Sequence, residues 1–432
     1  MAWSSKKQHR GKLRERETPP VAVVAGREIR RRLPLMLLCA LVCLAAWLRW
    51  SNLGNVVSRT PDERVYTYQA KTWLESGRAG LRSLVAEYKA DPETRLYPPP
   101  TRAGMIQVLG TVMRWTNRFD ESVGARISCA ASIGSVVVLA LIGIRFLPPW
   151  AAVAAMLFYA VFPPDLAIAR RTWTDAIVEP IGLLLVWFVC EIERDSERRV
   201  LYPLFALVGS AGLLFKESMP VPYTLCGLWI LWVLTKRREW ANAWIFLGAT
   251  AVGMGAAMWW LSDQVGSLAD YVGIVLGIPK ANAANAYALE YASGPAYLML
   301  TAFWIVSPVT SLLSLAGMAA VWKKRRERAL VWLACFTVAY VAIAMSMPHW
   351  INLRYVGNVY GTFCLLAGLG GWWLISAGYE WLDAEDRRVF AAVAISIVIG
   401  GATADYLRFR RYFVRDEMVD LSIKMLLDER GQ

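Results

Sequence analysis

The chain is short of charge. Asp, Glu, Lys and Arg make up 19% of its 432 residues, where a soluble domain carries about 25%. Hydrophobic residues make up 56%, and mean hydropathy is +0.37. This balance excludes a soluble enzyme, a disordered chain and a small secreted scaffold. Loop cysteine is missing too. All seven cysteines (Cys39, Cys43, Cys129, Cys190, Cys226, Cys335 and Cys364) fall inside apolar runs, so there is neither a disulfide framework nor zinc-site spacing. The sequence has no Walker loop, Rossmann fingerprint or zinc-protease helix, and no G-x-S-x-G elbow. It has no Asp-x-Asp pair to hold a nucleotide-sugar metal and no low-complexity linker, and no repeat of fixed period. Acidic residues are fewer than basic ones, 34 against 47, for a net charge of +13. Where the charges sit decides between a nucleic-acid footprint and a membrane-topology signal.

What is abundant is the long apolar run. A membrane helix needs roughly 20 mainly apolar residues. Runs near that length are Leu33 to Trp50, Ile127 to Ile144, Trp150 to Phe162, Ala176 to Cys190, Leu201 to Phe215 and Pro220 to Thr235. Trp240 to Leu261, Tyr297 to Trp322, Ala329 to Met347, Tyr355 to Ala377 and Phe390 to Thr403 follow. The expected fold is an all-α polytopic membrane protein of about eleven transmembrane helices. The segment before the first run carries Lys6, Lys7, Arg10, Lys12, Arg14, Arg16, Arg27, Arg30, Arg31 and Arg32. Taking it as cytoplasmic puts Arg194, Arg198 and Arg199, Lys236 to Arg238, Lys323 to Arg326 with Arg328, and Arg387 with Arg388 on the inside as well. That is the positive-inside pattern. The basicity is therefore spread along membrane loops, and no nucleic-acid partner is expected. The chain divides into a basic cytoplasmic tail (1–32), a membrane domain (33–404) with long outer loops at 51–126 and 262–296, and an amphipathic C-terminal tail (405–432). The basic residues of that last tail fit an eleven-span topology poorly, because it places them outside.

Long loops are usually functional. The first opens with Thr60-Pro61-Asp62-Glu63. Thr60 suits an N-cap, Pro61 the first helical position, and Glu63 closes a capping box. A helix from Arg64 to Glu75 is expected to end at Gly77. The pattern is thus an ordinary helix start. It is also an acidic pair just beyond the first membrane exit, and a carboxylate there can act as general base on a hydroxyl. The two roles are compatible. Arg95 to Arg102 encloses Tyr97 and three prolines, a stiff lead into an apolar helix at Met105 to Met113. Further polar groups fall on the same outer face: Arg126, Asp165, Asp175 with Glu179 one turn below it, Lys216, His349, and Arg354 with Tyr355. Singly, each reads as a snorkelling side chain at a span end. Together, Asp62, Arg126, Asp175, Lys216 and Arg354 are far apart in sequence yet share one face, carboxylates on one side and a charge clamp on the other.

These residues carry a resemblance. The order of Asp62-Glu63 with Tyr66, Ala70 and Gly77, then Tyr97-Pro98-Pro99-Pro100, Gly124-Ala125-Arg126, Pro163 to Asp175, Leu214 to Glu217, Gly294 to Tyr297 with Pro308, and Arg354-Tyr355 is similar to that of GT-C class integral-membrane glycosyltransferases. It looks closest to glycosyltransferase family 39, the protein O-mannosyltransferases and the lipid A aminoarabinose transferase. The resemblance spans about Leu33 to Thr403. It implies an inverting transfer of sugar from a polyprenyl-phosphate carrier to a hydroxyl acceptor on the non-cytoplasmic face, with the site facing the periplasm or exterior of a bacterial inner membrane. It further implies Asp62 as general base supported by Glu63, Arg126, Lys216, Arg354 and Arg102 as contacts to the donor phosphate, and Tyr97, Asp175, Tyr355 and His349 near substrate. Tyr97 stands where members acting on lipid A carry Lys, which leaves Arg95 or Arg102 to supply that contact. Metal use stays open: a divalent cation at Asp62 and Asp175, or none. Two other classes share the pattern, namely a transporter or flippase of lipid-linked sugars and a noncatalytic scaffold. Inverted repeats and broken helices mark transporters, and neither is legible in the sequence.

Overall fold

The computed structural model describes residues 21–90, 98–323, 327–347, 351–418, 420–422, 424 and 426. Most of the basic N-terminal tail, Lys324 to Arg326, Arg95, Tyr97 and His349 lie outside the described residues. The described residues are mainly helical, joined by turns and short irregular segments, with one isolated bridge between Asn352 and Ser422. The chain is an integral membrane protein of all-α, polytopic architecture.

Proline punctuation builds much of it. Pro61, Pro149, Pro163, Pro220 and Pro308 each open a helix. There the missing N–H costs nothing and the fixed φ suits the first turn. Left-handed residues close others: Asn117 (φ 50°) ends Ala103–Thr116, and Gly266 (φ 115°) ends Trp240–Val265. The first-loop helix does break at Gly77, where φ is 58° and ψ is −134°. It then resumes and runs on to Ala90.

All eleven apolar runs are helical, though not all are long and apolar enough by themselves to cross. Among the described residues, six helices are long and apolar enough to span, or up to eight if each of two bent pairs is one span. The remaining runs fall short for separate reasons. Leu201–Leu213 has 13 residues and Pro220–Lys236 has 17, or about 20 and 26 Å at 1.5 Å per residue against a hydrocarbon core of about 30 Å. Thr174–Arg194 is long enough but carries Asp175, Glu179, Glu191, Glu193 and Arg194.

Both bent pairs correct the expectation of unbroken spans. Pro149–Ala160 meets Pro163–Ala169 at 54°, and Tyr297–Val306 meets Pro308–Lys323 at 117°. Pro163 and Pro308 lack the N–H that would continue the previous helix. At the sharper bend, Ser307 and Thr310 donate to the buried carboxylate of Asp405 from the last helix. The Ser311 hydroxyl donates to the carbonyls of Phe303 and Ser307 at 3.0 and 2.8 Å, so backbone groups at the break are met inside the bundle, as lipid requires.

Leu353–Trp381 is the central span, 72% buried over its apolar window, while Trp240–Val265 and Glu385–Arg415 are 17% buried and lie at the periphery. Glycine lets its neighbours close on it. A Cβ at Gly370 would stand 1.9 Å from the Leu313 carbonyl oxygen, and one at Gly317 would stand 2.0 Å from that of Leu366. Gly368 likewise admits the Ala151 carbonyl. Helices without a hydrophobic drive to associate pack through such small-residue contacts. The last helix extends to Phe409, past the expected domain edge at 404, and then turns back with Tyr412, Phe413, Met418, Leu421 and Leu426 buried.

Overpacking typically costs 1–3 kcal/mol. Gly370→Val is therefore expected to lower the thermal midpoint in detergent by several degrees. Gly400→Ala, with nothing within 4 Å of the added atom and a better helix former in place, should leave that midpoint unchanged or slightly raised.

Candidate functional site

Four side chains from four distant segments converge at one end of the bundle. Asp62 sits in the first turn of Pro61–Ala90, and Asp175 in the first turn of Thr174–Arg194. Both carboxylates thus take the positive end of a helix dipole. The cations come from irregular backbone between helices. Lys216 lies in the turn that joins Leu201–Leu213 to Pro220–Lys236, and Arg354 lies in the 3-10 segment Leu353–Val359. Arg354 is the centre. Its Nη2 donates to Asp62 Oδ2 at 2.8 Å and its Nε to Asp175 Oδ2 at 2.9 Å. Its guanidinium lies 4.1 Å from the centroid of the Trp173 ring. Lys216 Nζ donates to the other oxygen of Asp175 at 2.5 Å and stands 5.6 Å from the ring centroid of Tyr355.

Exposure divides the two carboxylates. The Asp175 side chain is 1% exposed and the Asp62 side chain 27%. Asp175 has both oxygens occupied by cations, so it holds Lys216 and Arg354 in place. Asp62 keeps an open side toward solvent. Burial pushes the Lys216 ammonium below its ordinary value, and Asp175 works against that shift.

Glu63 points the other way. It is fully buried. Its carboxylate accepts from the Thr60 N–H at 2.8 Å, the capping-box bond expected from the sequence, and from the Thr172 N–H at 2.9 Å. Arg59 at 2.9 Å and Arg171 at 3.2 Å complete the set. Glu63 therefore pins the first turn of the Asp62 helix to the loop that leads into Asp175. Burial alone would raise its carboxyl, but the Thr172 and Thr60 amides and the Arg171 and Arg59 charges outweigh that and lower it.

Arg102 lies beside the cluster with its charge already matched. It is paired with Glu217, its Nε reaching Glu217 Oε2 at 2.8 Å, and it also donates to the Tyr66 hydroxyl. Glu217 follows Lys216, and Thr174, another Arg102 partner at 3.4 Å, precedes Asp175. The pair braces the backbone on both sides of the site. Gln69 holds the proline segment through the Pro98 carbonyl at 3.0 Å.

Arg126 is not brought in. It is exposed on the helix Glu121–Phe146, near the N-cap Asp120. Asp165, expected on the outer face, and Glu179, expected inside its span one turn below Asp175, belong to a separate buried network. Arg49 pairs with Asp165, Ser132 Oγ donates to Asp165 at 3.0 Å, and the Tyr159 hydroxyl donates to Glu179 at 2.8 Å. Arg49 escaped the sequence reading, although an ionisable side chain at the end of a span was the available signal. Trp173, Glu217 and Asn352 were also missed as site residues, and each adjoins a charged residue that was found or its helix.

For a divalent cation, the donor set does not fit. Among the described residues, no three His, Cys, Asp or Glu side chains converge. A cation at Asp62 and Asp175 would have to displace Arg354, and would meet Lys216 as well.

No known protein family and no curated protein matches the sequence. Solved structures do match in fold. The chain is similar to ArnT from Cupriavidus metallidurans bound to undecaprenyl phosphate, with a TM-score of 0.60 and 13% identity over 88% of this chain and 77% of that one. Against apo ArnT the values are 0.59, 14%, 89% and 77%. The archaeal oligosaccharyltransferase AglB from Archaeoglobus fulgidus, in complex with an inhibitory peptide and a dolichol-phosphate, gives 0.53 and 11% identity over 88% of this chain and 56% of that one. The chain shares its fold with GT-C class membrane glycosyltransferases.

The pinning role of Glu63 has a pH signature. Because its carboxyl is lowered on folding, it stabilises fully above its unfolded value of about 4.3, and this is lost as pH falls through the folded value. Chemical denaturation between neutral and acid pH should therefore show a steeper loss for wild type than for Glu63→Gln. Glu63→Ala, which strands buried Arg171, is expected to cost about 3–5 kcal/mol at pH 7.

Proposed function

We propose that this protein is an inverting glycosyltransferase that moves a sugar from a polyprenyl-phosphate carrier to a hydroxyl acceptor on the non-cytoplasmic face of a bacterial inner membrane. The observation that carries this is the sharing of Arg354 between the partly open Asp62 and the buried Asp175–Lys216 pair. The fold adds support, since two structures that share it were solved with a polyprenyl phosphate bound.

The charges explain how such a site would work. Asp62, Asp175, Lys216 and Arg354 sum to zero, so an incoming phosphodiester must compete for a cation. Asp62 is the carboxylate it can displace, because Asp175 is buried and held twice. Donor binding then transfers Arg354 from Asp62 to the phosphate and leaves Asp62 free to accept a proton. In the reaction the acceptor hydroxyl gives its proton to Asp62, and its oxygen bonds to the anomeric carbon. The bond from that carbon to the phosphate oxygen breaks, and the leaving polyprenyl phosphate keeps the electron pair. The phosphate goes from one negative charge to two. Arg354 and Lys216 are placed to stabilise the added charge, a preorganised arrangement of the kind that dominates many enzymes. Arg126, exposed near the loop ends, stays available for a more distant contact, and Tyr355 beside Lys216 lines the substrate side. This scheme needs no metal.

Purified protein in detergent, given a panel of polyprenyl-phosphate sugars, should release polyprenyl phosphate and glycosylate an acceptor. Transport has no meaning there, so the absence of any release would favour a flippase over a transferase. Asp62→Asn is expected to lower kcat by at least about 100-fold with folding intact. Arg354→Ala should raise KM for the donor by about tenfold or more, as loss of a charged hydrogen bond implies, with little effect on acceptor KM. Near-normal turnover of Asp62→Asn would remove Asp62 as the base.

A further inference from the structure

The segment after the last helix returns to the site from behind. Glu417, left-handed at φ 48°, reverses the chain after the turn Arg410–Arg415. Asp420 to Ser422 then pass as a strap beside the Arg354 segment. Leu421 accepts from the Leu353 N–H at 3.2 Å, and Ser422 pairs with Asn352 in an antiparallel bridge. The Ser422 hydroxyl donates to the Tyr291 carbonyl, and Lys424 donates to that of Glu290 at 2.7 Å. Met418 and Leu421 are buried. With Phe413 and Asp420 they pack against Trp173, the ring on which Arg354 rests, leaving only a shallow crevice.

Asn352 joins this strap to the site. Its Oδ1 accepts from the Arg354 backbone N–H at 2.9 Å, capping the 3-10 segment. Its Nδ2 donates to both carboxylate oxygens of Asp420, each at 3.1 Å. The two bonds are coupled. An amide can flip, but the Arg354 N–H calls for the oxygen and the Asp420 carboxylate for the NH₂, so the two partners together fix the orientation, with the charged one the stronger.

We propose that Asp420 is a positioning residue, which through the Asn352 amide fixes the backbone at Arg354 so that one guanidinium reaches both Asp62 and Asp175. The strap is then part of the donor site although it touches none of the reacting groups. The proposal rests on the transferase reading for its kinetic consequence, but its structural half can be measured without any substrate.

The experiment uses the full-length protein in detergent and three forms: wild type, Asp420→Asn, and the swap Asn352→Asp with Asp420→Asn. In the swap a carboxylate at position 352 again caps Arg354, and an amide at 420 donates to it, so the pair is rebuilt with its charge reversed in position. Amide hydrogen exchange over Leu353 to Tyr355 is expected to quicken at least about tenfold in Asp420→Asn and to return to near wild type in the swap. Donor KM should rise about tenfold in Asp420→Asn, the worth of one hydrogen bond, with acceptor KM unchanged and recovery in the swap. Unchanged exchange overturns the proposal. So does faster exchange with unchanged donor KM, and so does a swap as impaired as the single variant. Should wild type neither bind undecaprenyl phosphate nor transfer sugar, the transferase reading fails, while the exchange arm still decides whether Asp420 orders Arg354.

Discussion

The site turns on one guanidinium that two carboxylates share. Arg354 contacts Asp62 at 2.8 Å and Asp175 at 2.9 Å, and its face lies on Trp173. A buried charge is tolerable only when it is paired and hydrogen-bonded. The segments bearing Asp62, Asp175, Lys216 and Arg354 are therefore held to one geometry, since moving any of them strands a charge. The planar fork of Arg serves two acceptors at once, which the point charge of Lys cannot do.

The rest of the bundle keeps that arrangement rigid. Glu63 ties the Asp62 helix to the loop before Asp175 through two backbone amides and two Arg side chains. Arg102 and Glu217 brace the turn that presents Lys216. Below, the close approach at Gly317, Gly368 and Gly370 sets the central helix that follows the Arg354 segment. Each support is local in space and remote in sequence, so the outer loops act as parts of one packed body rather than as free connections.

Much of this was legible beforehand. The apolar runs, the capping box at Thr60 to Glu63, the break at Gly77 and the common face of Asp62, Asp175, Lys216 and Arg354 all follow from local pattern plus alternation of sides. Arg126 shared the predicted face but not the cluster, because topology gives a side and not a direction around the bundle. Asp165 failed for a related reason. The bend at Pro163 carries it inward to Arg49, and a linear span count cannot show a fold-back. Length and composition mark six to eight of the described helices as spans, and helices of 13 and 17 residues look alike to a composition test whether they cross or only pack within the bundle.

Sequence alone determined the class of solvent, the helical architecture and the kinds of charge available on one face. Hydrophobic length and side-chain chemistry are properties of short stretches, and short stretches are what a sequence displays. Pairing was decided only by the tertiary structure. It set Arg354 and not Arg126 beside Asp62, made the supporting Glu63 a pin for the helix start, and brought the C-terminal strap against Asn352. Those choices depend on distances of a few ångströms between segments up to hundreds of residues apart, and electrostatic energy in a low-dielectric interior varies steeply over that range.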